Sequence, residues 1–288
     1  MPTETWTIKR LLQWTTDFLQ KKGVDAPRLT AEILLAHILK KDRLYLYVHY
    51  DQPLTLYELA TFKKLLKRRL SHEPLAYIIE EQAFWSLSFK VTPAVIIPRP
   101  ETERLIEVSL EIIQQRGLTL PWILDWGTGS GVIAVVLGKE IKKAHMVATD
   151  ISFPALKVAK ENAFKHKVKI DFVLARDLTL FKSTVFDIIV SNPPYIKTED
   201  IPTLAPEIQY EPIEALDGGE DGLKYIGYLL KKAHVYLKSK GYLIMEIGYN
   251  QRKSIEKLIA SLPCWKGALF FKDYAGLERV VVIEKNHG

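Results

Sequence analysis

Cysteine is nearly absent: Cys264 is the single one in 288 residues. One thiol cannot close an internal disulfide, which excludes the disulfide-stapled secreted class, and it cannot build a Cys-rich zinc site. The seven histidines are scattered, with no pair at helical or zinc-finger spacing, so no protein-built metal site is expected. No apolar run approaches the roughly 18–20 residues of a membrane span. Residues 1–20 mix Glu4, Lys9, Arg10 and Asp17 among apolar side chains. That is neither a secretory signal nor an Arg-rich, acid-poor transit peptide, and a cytoplasmic location is the expectation. A large charge excess is lacking too. Lys and Arg number 40 against 34 Asp and Glu, a weak hint of an acidic partner.

What is present is an ordinary globular composition, 48% hydrophobic and 26% charged. The length suggests two domains or one large one. Residues 1 to about 80 read as helical. Leu11, Leu12, Trp14, Phe18 and Leu19 recur at helical spacing from Ile8, a second run spans Leu29–Leu39, and a third spans Leu54–Leu70. In the third, Lys63, Lys64, Lys67, Arg68 and Arg69 fall mostly opposite the apolar face. This first region carries 13 basic and 9 acidic residues. Its basic helix is either a solvated face or a docking surface for a negatively charged partner.

Residues 81–120 read as a short hairpin around Phe84–Val91, followed by a helix from about Thr102 to Gln115. Pro98-Arg99-Pro100 stops an extended segment and opens that helix. Residues 121–288 alternate strands with helices of 10–15 residues. Strands are expected near Trp122–Trp126, His145–Thr149, Lys169–Leu174, Val185–Ser191 and Tyr242–Ile247, with two late ones near Ala268–Lys272 and Arg279–Ile283. That alternation predicts an α/β fold with a mostly parallel, doubly wound sheet.

Two motifs carry chemistry. Asp125-Trp126-Gly127-Thr128-Gly129-Ser130-Gly131 follows the first of these strands and opens a helix. Glycines allow a tight turn and close approach of a ligand to the backbone, and the helix start adds unpaired N–H groups. Asp150, ending the next strand, stands where doubly wound folds commonly hold ribose hydroxyls. A dinucleotide fingerprint would need glycine at position 132, which is Val. The D-x-G-x-G-x-G spacing is that of S-adenosylmethionine-dependent methyltransferases. A bare strand–helix turn is the bland alternative.

Asn192-Pro193-Pro194-Tyr195 closes the fourth strand, where the strand order of such sheets reverses and ligands bind. The Asn192 side chain and the Pro193 carbonyl are two acceptors for one planar NH2 group, and the prolines stiffen the loop. Tyr195 supplies an aromatic face that tolerates positive charge developing on nitrogen. An amide or aromatic amine is a poor nucleophile, so orientation must supply most of the catalysis. A sulfonium donor is already activated and needs no metal. No strong general base is evident, and the proton is expected to leave after transfer.

These residues resemble the HemK/PrmC family of protein-(glutamine-N5) methyltransferases, and the resemblance runs over nearly the whole chain. It includes Glu73 to Tyr77, Ile97 to Glu103, Asp150-Ile151-Ser152, Glu211-Pro212, Asp217-Gly218-Gly219, Glu246-Ile247-Gly248 with Gln251, and Asp273 to Gly276 with Arg279. The tetrapeptide alone is shared with amino-methylating DNA enzymes. Pro98 to Glu103 beside it is more specific.

The resemblance implies a class I methyltransferase domain with a seven-stranded sheet, joined by a β-hairpin to a small helical domain that docks class I peptide-chain release factors. It implies S-adenosyl-L-methionine as donor, S-adenosyl-L-homocysteine as product, and the Gly-Gly-Gln glutamine of the release factor as acceptor. Asp125, Gly127, Thr128, Gly129, Ser130, Gly131 and Asp150 would hold the cofactor, with Asp177, Leu178 and Asn192 beside it. Asn192, Pro193, Pro194 and Tyr195 would grip the substrate, with Arg99 and Glu101 lining the site. A monomer is expected, without metal and without a stable nucleic-acid complex. The departures are Trp126 in place of an aliphatic residue, Glu80 where glycine is common after a strand at Tyr77, and Leu178 where an aromatic residue is usual. The rivals are a nucleic-acid amino-methyltransferase, a ribosomal-protein glutamine methyltransferase and a cofactor-binding scaffold without catalysis.

Overall fold

The computed structural model describes residues 5–286, and two compact units divide between Glu80 and Glu81. The first is built from helices α1 (Ile8–Lys21), α2 (Pro27–Leu39), α3 (Arg43–Val48), α4 (Leu56–Leu70) and α5 (Leu75–Ile79). Local chemistry sets their starts. Thr7 caps α1 by accepting from the Arg10 N–H, and Pro27 opens α2 at a position that needs no donor. Thr55 and Glu58 form a reciprocal capping box on α4. Ile8, Leu11, Leu12 and Leu19 of α1 pack with Leu34 and Leu35 of α2 and with Phe62, Leu65 and Leu66 of α4.

The basic run of α4 is less solvated than its pattern suggests. Lys63, Lys64 and Lys67 are exposed, but Arg69 is buried, and Arg68 pairs with Glu73 at 2.5 Å. Tyr77 lies in helix α5 rather than in a strand. Glu80 follows it in the left-handed region at φ +56°, the conformation that makes glycine favourable there.

The second unit opens with the hairpin β1 (Glu81–Phe84) and β2 (Leu87–Lys90), paired antiparallel. Trp85 and Ser86 at its tip both have positive φ, as a type I′ turn requires. Helix α6 (Glu101–Gln115) follows. Then come β3 (Trp122–Trp126), α7 (Val132–Glu140), β4 (His145–Asp150), α8 (Phe153–Lys165), β5 (Ile170–Leu174) and β6 (Phe186–Ser191). The chain ends with α9 (Lys224–Tyr236), β7 (Leu237–Glu246), α10 (Arg252–Ala260), β8 (Trp265–Lys272) and β9 (Glu278–Lys285).

The seven strands run in the order β5-β4-β3-β6-β7-β9-β8. The first five pair in parallel, and β9 lies antiparallel to both of its neighbours. Side chains alternate between the faces. Ile123, Ile188, Val190 and Ile244 join α6 and α7 residues on one side, while Leu124, Ile189, Leu243 and Met245 join α9 and α10 residues on the other. Both faces are covered, as a parallel sheet requires. The order reverses between β3 and β6, which opens the crevice at their carboxyl ends. Among the described residues no helix is long and apolar enough to cross a membrane.

Candidate active site

The glycine loop links β3 to α7. Gly127, Gly129 and Gly131 all have positive φ, a region that costs other residues strain. An added Cβ would meet nothing within 4 Å at Gly127 or Gly129, so the backbone there lies open to a ligand. At Gly131 it would sit 3.0 Å from the Ala159 Cβ, so that glycine serves close packing of the loop on α8. Asp125 is fully buried. Its Oδ2 accepts from the Thr128 hydroxyl at 2.6 Å and the Ala134 N–H at 3.2 Å, while Oδ1 has no hydrogen-bond partner among the described residues. Burial pushes its carboxyl up to about 7. Asp150 accepts from the Gly129 N–H at 2.9 Å and the Ser152 N–H at 2.8 Å. Burial raises its pKa too, against those hydrogen bonds.

An orphaned buried carboxylate oxygen, open glycine backbone and a second acid at the next strand end suit a ligand carrying ribose hydroxyls and positive charge. These residues fit S-adenosylmethionine, whose sulfonium is cationic. Leu178 is the exception. Its side chain is fully buried in the core around Trp126, and its N–H donates to the Tyr228 hydroxyl. Both groups are thus committed to protein partners. The neighbouring Asp177 carboxylate accepts from the Thr179 N–H at 2.9 Å and from its hydroxyl.

Strand β6 brings the tetrapeptide to the glycine loop. Asp125 pairs with Val190 across the sheet, and the Ser191 hydroxyl donates to the Trp126 carbonyl at 2.7 Å. Asn192 therefore starts its loop beside Gly127. The Asn192 Nδ2 donates to the Thr102 hydroxyl at 3.1 Å, and that hydroxyl donates to Glu246 Oε2 at 2.7 Å. The Tyr195 hydroxyl donates to the other oxygen, Glu246 Oε1, at 3.3 Å. Glu246 is 2% exposed, and burial drives its carboxyl up to about 7, with Arg279 opposing and Glu101 adding to the shift. Burial, and then the Glu246 charge, raises the Tyr195 phenol, so it stays a neutral donor.

Thr102 and Glu246 escaped the motif reading as site residues. A signal existed: Glu246 ends the apolar strand next to β6, as Asp150 ends the strand next to β3. In a parallel sheet every such strand end faces the same crevice.

The tetrapeptide is buttressed from behind. The Gln251 Nε2 donates to the Tyr195 carbonyl at 3.2 Å and the Gly222 carbonyl at 3.0 Å, and its Oε1 accepts from the Gly248 N–H. A Cβ at Gly218 would lie 2.8 Å from the Tyr195 Cα, and one at Gly222 2.5 Å from the Tyr195 carbonyl oxygen. Only glycine lets this loop pack so closely. Arg99, expected to line the site, is partly exposed and commits its guanidinium to protein partners. It pairs with the buried Glu211 and donates to the Ile97 carbonyl at 2.9 Å, and Glu211 also accepts the Ile97 N–H at 3.1 Å. That clamp fixes the segment entering α6, and so Glu101 and Thr102.

Comparisons with known proteins extend the geometry. The methyltransferase small domain model matches residues 107–262, and the PrmC N-terminal domain model matches residues 10–79. The chain is 40% identical over 287 residues to the release factor glutamine methyltransferase of Geobacter sulfurreducens, covering 96% of each chain. It is 38% identical over 289 residues to that of Rhodopirellula baltica, covering 97% of each. A solved methyltransferase from Pyrococcus furiosus shares the fold with a TM-score of 0.51 at 18% identity, covering 78% of this chain and 100% of that one. Sheet order and glycine loop together define a class I S-adenosylmethionine-dependent methyltransferase. Within that class, the near full-length identity is decisive: the chain belongs to the release factor glutamine methyltransferase family.

Proposed function

We propose that this chain transfers the methyl group of S-adenosyl-L-methionine to the side-chain amide nitrogen of the Gly-Gly-Gln glutamine in class I peptide-chain release factors, leaving S-adenosyl-L-homocysteine. The observation that carries the reading is the orientation of Asn192. Its Nδ2 is engaged by Thr102, which turns Oδ1 the other way, as an acceptor for an incoming NH2 group. The donor supplies an activated sulfonium methyl, so the protein's task is positioning. Asn192 Oδ1 and the Pro193 carbonyl accept the two amide hydrogens and draw charge toward the nitrogen. The Pro194 ring stiffens their placement. The Tyr195 ring covers the planar group. Asp125, Asp150 and the open backbone of Gly127 to Gly131 hold the cofactor, and Glu101 adds negative charge beside the site. The helical unit docks the release factor. The enzyme acts as a cytoplasmic monomer without a metal ion and without a stable nucleic-acid complex.

The test is labelled S-adenosylmethionine offered with a release factor, with its Gln→Ala variant, with duplex DNA and with ribosomal protein. Label is expected only in the unaltered release factor. Label in DNA, or label surviving the Gln→Ala change, would overturn the reading. Asn192→Ala is expected to lose about 10²–10³-fold in turnover, the scale of removing one preorganised polar group, while cofactor binding is kept.

A further inference from the structure

The geometry points to Glu246 as a positioning residue, which sets the orientation of the Asn192 amide through the Thr102 hydroxyl and at the same time anchors the Tyr195 ring. This rests on the amide-grip reading above and deepens it.

An Asn side chain has a donor end and an acceptor end of nearly equal shape, so something outside it must decide which end meets the substrate. Nothing within the tetrapeptide does so. The decision is made by a chain of hydrogen bonds with one direction. Both Glu246 oxygens are acceptors when the carboxyl is ionised. Oε2 therefore takes the Thr102 proton at 2.7 Å, and Thr102 Oγ1 is left to accept from Asn192 Nδ2 at 3.1 Å. Oε1 takes the Tyr195 proton at 3.3 Å. One buried carboxylate thus brackets the first and last residues of the tetrapeptide. Glu246 and Thr102 are 2% and 3% exposed, so solvent has little access to substitute for either.

Protonation would reverse the chain. A neutral Glu246 could donate to Thr102 Oγ1, whose own proton would then turn toward Asn192 and call for its Oδ1. The amide would present its NH2 donor where its Oδ1 acceptor is needed. The groups facing Glu246 set how readily this happens. Thr102 and Glu101 approach from α6, Tyr195 from the loop after β6, and Arg279 from β9. The Arg279 Nε is already held by Asp273 at 3.2 Å, so its charge compensates Glu246 only in part.

Thr102→Val keeps the shape and removes the hydroxyl, whereas Thr102→Ser keeps the hydroxyl and loses a methyl. A packing role predicts that Val outperforms Ser, and the relay predicts the reverse. Turnover of release factor should fall about 10–100-fold in Thr102→Val and in Glu246→Gln, the cost of misplacing a reacting group by about 1 Å. KM for S-adenosylmethionine should stay within about threefold, and Thr102→Ser should keep most of the turnover. The wild-type rate should decline as pH falls through about 7, and Glu246→Gln should weaken this limb, leaving the part that belongs to Asp125. Equal rates for the Val and Ser variants, or an unchanged acidic limb in Glu246→Gln, would overturn the relay. Asn192→Ala separates the two readings. If it is inactive while Thr102→Val and Glu246→Gln are normal, the relay alone fails. If it retains near-normal turnover, the amide grip fails and the relay falls with it.

Discussion

Both units bury carboxylates, and they treat them in opposite ways. In the helical unit Glu32 is 1% exposed and meets Arg28, Arg43 and Tyr47. Burial opposes its ionisation, but hydrogen bonds from Tyr47, Arg43 and Arg28 outweigh that and hold it below the usual carboxylate range. In the catalytic unit Asp125 and Glu246 are equally hidden from solvent but lie deeper in the protein, they meet hydroxyls and a backbone N–H, and both are pushed up to about 7. The difference separates an acid that holds a fold from an acid that holds a site. Two guanidiniums and a phenol make Glu32 a cross-link between α2 and α3. The under-neutralised acids stand at strand ends around the crevice, where perturbed groups cluster when a fold trades stability for function.

The largest effect that would sharpen this contrast comes from two glycines. Gly222→Ala places a Cβ 2.5 Å from the Tyr195 carbonyl, at φ +73°. It should cost turnover about 10–100-fold by displacing the tetrapeptide. Gly23→Ala also sits at positive φ, +70°, but meets nothing within 4 Å. It should cost about 1 kcal/mol of stability and leave turnover unchanged. Urea melts and methylation rates on both variants check the pair, and equal losses of turnover would break the distinction.

Next in size is the same substitution made in each unit. At pH 8, Glu32→Gln should lower stability by about 1–3 kcal/mol, since it removes the charge from hydrogen bonds to two arginines. Glu246→Gln should raise it by about 1–3 kcal/mol, since it relieves a buried and poorly compensated charge while turnover falls. Denaturant midpoints measure both, and changes of the same sign would remove the contrast.

The smallest effect is the pH dependence of stability, whose sign also differs between the units. Glu246 has a raised pKa. Between its usual value of 4.5 and about 7 the folded chain keeps a proton that the unfolded chain has released, so its contribution falls as pH rises. Glu32 is depressed. Its contribution is present above the usual 4.5 and is lost as pH falls through the lower folded value. The Glu246→Gln variant should therefore show a flatter stability curve than wild type between about pH 4.5 and 7, while its acid-side decline persists. A curve parallel to wild type would place the Glu246 pKa elsewhere.

Legibility in the sequence followed the length and uniformity of each element. The apolar run Trp122–Trp126 and the Ser152-capped helix Phe153–Lys165 have the bounds their residues suggest. Helices α3 and α5 have only six and five residues, too short for a 3.6-residue period to register. Strand β7 begins at Leu237, five residues before its apolar stretch. Lys238, Ser239, Lys240 and Gly241 disguise its start, though Phe186 pairs with Leu237. Leu178 has the position of a cofactor neighbour but the burial of a core residue, because Trp126 and the α9 side chains close around it.

Local chain chemistry dictates the grammar of this protein. Three glycines after an apolar strand, acids at the ends of strands, and Asn192 to Tyr195 at a reversal in strand order encode a methyl-transfer crevice, because these features act through local backbone geometry and side-chain type. How the crevice is held depends on long-range packing. Thr102 and Glu246 stand 144 residues apart, and Asn192 lies 90 from Thr102. Arg99 reaches Glu211 across 112 residues. Which end of an amide faces a substrate depends on donors and acceptors brought together by sheet order and helix packing, and no local pattern in the chain records that direction.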